Sequence, residues 1–395
     1  MKQAWRWFGP HDPVSLDAVR QAGATEIVSA LHQFKPGEVW TSDAVAERKN
    51  LIETTPAGRT PLAWSVVESI PVPDDVKRLG KNAKSSIEGW ITSLEAVAKN
   101  DIKTICYNFM PVVDWTRTDL DATLPTGATC LRFDNYRFAA FELHILKRPG
   151  AEADYDAVTK ARAKAVFDAM TQTDIDYLTM VICSALPGST TEPLSLDGFR
   201  DKLLAYSNIG ANLLRQHLIE FLKAVTPAAE KLGVKLTLHP DDPPRSLFGL
   251  PRVASNAADF QILFDAVPSA SNGMCFCTGS LGVRPDNDLV AMAKHYAPRI
   301  HFVHLRATKR DADNSLSFYE ADHLDGDVDM VSVISALVKE DRKRPAGEKI
   351  PFRPDHGHRM MDDLAKKTTP GYAGIGRLKG LGELRGILRA VEHFT

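Results

Sequence analysis

Four residues of metal-binding type close four successive apolar runs in the C-terminal half of this 395-residue chain. They are His239 in LTLHPDDPP, Cys277 in CFCTGS, His304 in FVHLR and Asp355 in RPDHGH. Imidazole, thiolate and carboxylate together suit one divalent first-row ion and are too soft a set for a dedicated Mg²⁺ or Ca²⁺ site. Mn²⁺, Fe²⁺, Co²⁺ and Zn²⁺ are all chemically acceptable. Such an ion could polarise a carboxylate or hydroxyl as a Lewis acid, which suits a chelating hydroxy acid or sugar. Each residue also has an ordinary structural role. A strand-end His is often only hydrogen-bonded, a buried Cys packs as a small hydrophobe, and an Asp near Gly favours a turn. Their conjunction at one level of the fold is what carries the metal reading.

The stretch PFRPDHGHRM, residues 351–360, adds two histidines around Gly357. His356 follows the candidate ligand Asp355 and is a candidate general acid or base, the alternative being a residue that only orients Asp355. His358 lies beyond the glycine, where a position toward solvent or behind the site is expected. Cys275 and Cys277 are two apart, so on a strand they point the same way, and the spacing is not CxxC.

The elements that must position these residues alternate. Eight apolar runs, at 5–8, 26–30, 62–67, 103–107, 234–238, 273–277, 300–304 and 350–353, are separated by segments of helical periodicity at 15–21, 42–54, 85–99, 211–231, 257–267, 287–296, 328–339 and 375–391. Several helical segments open on Ser, Asp or Asn, which accept from free N–H groups at a helix start. Eight strand–helix repeats predict an α/β fold of the (β/α)8 TIM-barrel type, in which parallel strands are buried on both faces. A doubly wound open sheet shares the pattern, but the repeat count favours the barrel. The turn after the first run, FGPHDP, offers no phosphate-cradling G-x-G-x-x-G. A single barrel domain over 1–395 is expected, with residues 111–208 forming a lid-like helical insertion after strand four, on the face where a barrel's active site lies.

At 44% hydrophobic and 25% charged the chain can bury a large core, and its net charge of -2 gives no electrostatic reason for nucleic acid or an anionic membrane as partner. A small-molecule substrate is expected, and nothing in the composition argues against a homo-oligomer. The N-terminal stretch has no apolar signal-like run, and five scattered cysteines suit a reducing compartment, so a cytoplasmic protein is expected.

Longer motifs carry a resemblance. WRWFGPHDPVSL, CYNFMPVVDWTRTDL, HPDDPP, GLPR, HLR, HLDGDVDM, RPDHGH and PGYAGIGRLKGLGELRG together resemble the mannonate dehydratase family, over essentially the whole chain. The resemblance implies a metal-dependent barrel enzyme that dehydrates D-mannonate to 2-dehydro-3-deoxy-D-gluconate. It implies His239, Cys277, His304 and Asp355 as metal ligands, with Mn²⁺ or Fe²⁺ the foremost ions, and His356 and Tyr372 as the acid/base pair, without saying which is which. Arg306, Arg6, His11 and Arg117 are candidates for holding the sugar acid, each Arg having a structural ion pair as its alternative. A barrel aldose–ketose isomerase is the nearest other enzyme; such sites usually need several carboxylates around two ions, whereas these strand ends offer one Asp. A binder without catalysis would need the ligands but not His356 with Tyr372.

Overall fold

In the computed structural model, which describes residues 1–184 and 194–394, eight parallel strands close a barrel. In chain order they are β1 (Lys2–Arg6), β2 (Glu26–Ser29), β3 (Ala63–Glu68), β4 (Thr104–Tyr107), β7 (Lys235–Leu238), β8 (Asn272–Cys277), β9 (Ile300–His304) and β12 (Pro351–Arg353), and β12 closes onto β1. The open-sheet alternative is thereby excluded. All eight expected helices form, and their caps follow the sequence signals. Ser15, Asn256 and Asp329 accept from the N–H groups of Ala18, Asp259 and Ser332 at helix starts. The first strand begins earlier than its apolar run suggests, at Lys2 rather than Trp5, because Lys2 pairs with Pro351 across the closure.

Side-chain alternation sorts the strand residues into two sets. Ala4, Val28, Val66, Cys106, Cys275 and Phe302, one from each of six strands, form their own buried cluster inside the barrel. Their chain neighbours Trp5, Ile27, Val67, Ile105 and Val303 belong to the large core between barrel and helices. Because the side-chain period is two, the next inward positions toward the C-terminal ends are Arg6, Glu68, Cys277 and His304, roughly 7 Å higher. The mouth of the barrel is thus a polar layer stacked on an apolar one.

The connection from β4 to β7 is more than helical. It opens with an antiparallel pair, β5 (Asp119–Thr123) and β6 (Thr129–Phe133), which joins β10 (Thr308–Arg310) and β11 (Phe318–Glu320) from the loop after β9 in a four-stranded outer sheet. The expectation of a helical insertion is corrected to that extent. The helices Ala157–Ala169, Gln172–Cys183 and Leu196–Leu204 follow, while residues 185–193 of the expected segment lie outside the described residues. Phe133, Phe138, Phe141, Leu178 and Phe199 share a second core with Phe248 and Phe318, so the insertion packs onto the loops that follow β7 and β9. No helix among the described residues is long and apolar enough to cross a membrane.

The last helix, Gly374–Phe394, approaches the PDHGH turn backbone to backbone. A methyl group on Gly357 would fall 2.3 Å from the Arg377 nitrogen and 2.4 Å from the Gly376 carbonyl carbon, so only glycine fits. Gly357→Ala is expected to cost about 1–3 kcal/mol, as overpacking against immovable backbone does. Gly382, in the same helix, has open space at its Cβ position, and Gly382→Ala is expected to stabilise by about 0.5–1 kcal/mol. Urea denaturation reads both, and equal midpoints for the two variants would contradict this packing.

Candidate active site

His239 follows β7 directly, Cys277 ends β8 and His304 ends β9. One donor atom from each lies within 4.8 Å of the others. The contacts around them leave those atoms available. His239 Nδ1 is 2.7 Å from the Pro240 carbonyl, so as donor there it keeps Nε2 as a lone pair. Neither ring nitrogen of His304 makes a directed hydrogen bond although the side chain is fully buried. Buried polar atoms without partners are uncommon in proteins, and a nitrogen, sulfur and nitrogen set fits a first-row divalent ion. Asp355 stands beside this trio, its Oδ2 3.9 Å from Cys277 Sγ and 3.8 Å from His304 Nδ1. Its φ of 60° lies in the left-handed region, which Asp tolerates better than most residues and which turns the carboxylate back over the mouth.

Asp355 is not isolated. Arg353 binds its Oδ1 and Arg306 its Oδ2 at 3.1 Å. Arg353 also holds Glu68 at 2.8 Å, and Arg6 holds the same Glu68 oxygen at 2.7 Å. Arg306 continues to Asp242 at 2.9 Å and Glu320 at 3.0 Å, and Arg117 meets that pair at 2.7 and 2.9 Å. Four guanidiniums and four carboxylates thus form one buried net. Burial alone would raise each carboxyl pKa. Arg353 and Arg6 outweigh it at Glu68, Arg353 with His356 at Asp355, and Arg117 with Arg306 at Asp242, so all three sit below the ordinary range. At Glu320, burial is outweighed chiefly by Arg306 and His356, leaving a value of about 2.

A narrow cleft opens above, lined by Arg6, Glu68, Trp115, His239, Asp242, Arg306, Arg353, Asp355, His356 and Tyr372 among others. Cys277 and His304 are buried beside these residues. His356 and Tyr372 meet edge to face, ring centroids 5.0 Å apart. Burial raises the Tyr372 phenol pKa, with Arg6 opposing. Of the residues expected to hold a substrate, Arg6 and Arg306 line the cleft. Arg117 is fully buried with both its terminal nitrogens on carboxylates, and His11 is exposed in the turn after β1. His358, expected toward solvent or behind the site, is buried, with Nε2 2.9 Å from the Glu320 carbonyl.

Glu68, Asp242, Glu320 and Arg353 escaped the sequence reading. Glu68 had a signal, since it extends the third run by one residue at the inward-facing parity. Asp242 sat in HPDDPP, next to a ligand candidate. Glu320 had none, because it ends the three-residue strand β11 of an unexpected sheet.

Comparison with known proteins identifies the family. The family model described as D-mannonate dehydratase (UxuA) matches residues 1–395. A mannonate dehydratase of Brucella canis is 65% identical over 392 residues, 99% of this chain and 98% of that one. One from Chromohalobacter salexigens is 52% identical over 397 residues, covering both chains completely. The crystal structure of mannonate dehydratase from Streptococcus suis serotype 2 superposes with a TM-score of 0.75 at 31% identity, over 100% of this chain and 94% of that one.

The net has a consequence for stability against pH. A carboxyl whose folded pKa is depressed binds fewer protons folded than unfolded, so its stabilisation is complete above the unfolded pKa and is lost as pH falls through the folded one. For Glu320 that window runs from 4.5 down to about 2. Metal-free Glu320→Gln is expected to be less stable than the metal-free parent at pH 6, with the gap in urea midpoint narrowing as the pH falls through this window. A gap that stays constant would mean that Glu320 contributes no charge-dependent stability.

Proposed function

The chain belongs to the D-mannonate dehydratase family, and on that premise we propose that it removes water from D-mannonate at the barrel mouth, giving 2-dehydro-3-deoxy-D-gluconate. The observation that carries the reading is the convergence of His239, Cys277 and His304 within 4.8 Å, beside the His356–Tyr372 pair. We infer that His239, Cys277, His304 and Asp355 hold one divalent ion, Mn²⁺ or Fe²⁺. Bound there, it would supply Lewis-acid polarisation of substrate oxygens, easing removal of the weakly acidic C2 proton beside a carboxylate.

The protein's own residues supply the rest. Arg6 lines the cleft and has a guanidinium Nε without a partner, which suits it to hold the sugar acid's carboxylate. Arg306, spread over three carboxylates, bounds the pocket and is the second proposed contact. His356 is assigned as the base that takes the C2 proton at Nε2. Tyr372, whose raised pKa keeps the phenol protonated at neutral pH, is assigned as the donor of its Oη proton to the departing C3 hydroxyl. One proton is taken and one given, water leaves, and the enol product tautomerises to the 2-keto acid. Trp115, from the β4–β7 connection, walls the cleft, so the insertion is proposed to shield the reaction from water. With five free cysteines, the protein is proposed to be cytoplasmic.

Metal-depleted protein incubated with D-mannonate and each of Mn²⁺, Fe²⁺, Co²⁺, Zn²⁺ and Mg²⁺ is expected to form 2-keto product with Mn²⁺ or Fe²⁺ and not with Mg²⁺. His239→Ala, Cys277→Ala, His304→Ala and Asp355→Ala should each lose bound metal by elemental analysis and nearly all activity; full occupancy in one would remove that residue from the ligand set. His356→Asn and Tyr372→Phe should keep metal and lose about a hundredfold or more in kcat. Tyr372→Phe should still exchange the C2 proton with solvent deuterium. His356→Asn should not, and the opposite pattern would reverse the two roles.

A further inference from the structure

Glu320 belongs to no barrel strand. It ends β11 of the outer sheet, yet it reaches both histidines of the PDHGH turn. Its Oε1 lies 3.2 Å from His356 Nδ1, and its backbone carbonyl lies 2.9 Å from His358 Nε2. We propose that Glu320 is the positioning residue for His356, its carboxylate accepting the Nδ1 proton so that Nε2 is presented to the cleft. The proposal rests on the reading of His356 as a proton-transfer residue.

The orientation follows from which atoms face where. His356 lines the cleft and Glu320 does not, so the Nδ1 edge of the ring is turned away from the substrate space. The opposite nitrogen, Nε2, is 3.9 Å from Asp355 Oδ1, on the cleft side. Tyr372 packs against the ring at 86°, which resists rotation about the bond that would exchange the two edges. The peptide N–H of Gly357 donates to the Gly371 carbonyl at 2.9 Å and ties the turn to the segment carrying Tyr372.

A carboxylate is the group this task requires. Ionised, it accepts only, so it imposes N–H on Nδ1 whether the imidazole is neutral or protonated. A carboxamide could turn either end to the ring. Arg117 lies 2.9 Å from Oε1, the oxygen that also meets His356, and Arg306 lies 3.0 Å from Oε2, so both oxygens of the acceptor are engaged by cations. The Nδ1 contact falls short of a fully directed hydrogen bond. Such bonds are often long without substrate and tighten in the reacting complex.

The first test reads the unsubstituted protein. With ¹⁵N-labelled histidine in the metal-free and Zn²⁺-loaded protein, the His356 signals, assigned by their loss in His356→Asn, are expected to show the Nδ1–H tautomer. A dominant Nε2–H tautomer overturns the proposal, and this measurement stands even if no Glu320 variant folds. In the second, Glu320→Gln is expected to lower kcat about ten- to a hundredfold, the usual scale for losing such a partner, with KM within about threefold, unchanged metal content and a mixed His356 tautomer. Arg117→Gln removes one cation from Glu320 but leaves the carboxylate acceptor in place and has no contact of its own with His356, so the Nδ1–H tautomer should survive it. If the two variants alter kcat and thermal midpoint alike while the tautomer stays unchanged in both, Glu320 is structural and the proposal falls. His356→Asn turning over at the parent rate would instead remove the proton-transfer role of His356, which the tautomer result does not depend on.

Discussion

Everything at the barrel mouth depends on the buried net of Arg6, Arg117, Arg306 and Arg353 with Glu68, Asp242, Glu320 and Asp355. Taking a charge out of water costs several kcal/mol even after the protein relaxes, and an ion pair offsets this only when its geometry is good and its remaining donors are used. The net meets that condition only in part: four positive groups face four negative ones and Arg306 alone spans three carboxylates, but the Nε atoms of Arg6, Arg117 and Arg306 have no directed hydrogen bond. Removing one member would strand its partners, at about 3–5 kcal/mol for a broken buried pair. Such nets seldom stabilise a protein more than apolar packing would, so the gain must lie elsewhere. Here the gain is orientation. Asp355 is held from two sides in a left-handed conformation, and Glu320 is fixed where it meets His356.

Two parts of the chain share this work. The barrel positions its residues by pleat alone: Ala4, Val66, Cys275 and Phe302 fill the interior, and the residue two further along each strand enters the polar layer. The outer sheet brings Glu320, and the segment leading into β5 brings Arg117. Arg117 is more than a hundred positions from its partners in sequence, and it reaches Asp242 and Glu320 across that separation. The insertion therefore does more than contribute to the cleft wall, because the charge of Arg117, in the segment leading into β5, completes the net beside the turn after β12.

The barrel was legible because its strands are buried on both faces and read as apolar runs, which alternate with amphipathic helices. The convergence of His239, Cys277 and His304 was legible because strand ends meet in a barrel, and Asp355, two residues past β12, stands beside them. Glu68 and Arg6 obey the same parity rule, and stepping two residues from Val66 and Ala4 finds both. The outer sheet was not legible. DLDAT is half exposed with no apolar alternation, and β10 and β11 are three residues each, too short for any periodic signal. Which of its two expected places His358 takes was not legible for the same reason, since it is buried against the Glu320 carbonyl of β11.

The central proposal is that Cys277 and the imidazoles of His239 and His304, with Asp355 beside them, would hold one divalent ion. X-ray absorption on the Zn²⁺-loaded protein tests it directly. One sulfur scatterer at about 2.3 Å, with nitrogen or oxygen ligands at about 2.0–2.1 Å, and loss of the sulfur shell in Cys277→Ser, is the expected result. A first shell of nitrogen and oxygen alone in the unsubstituted protein would contradict it.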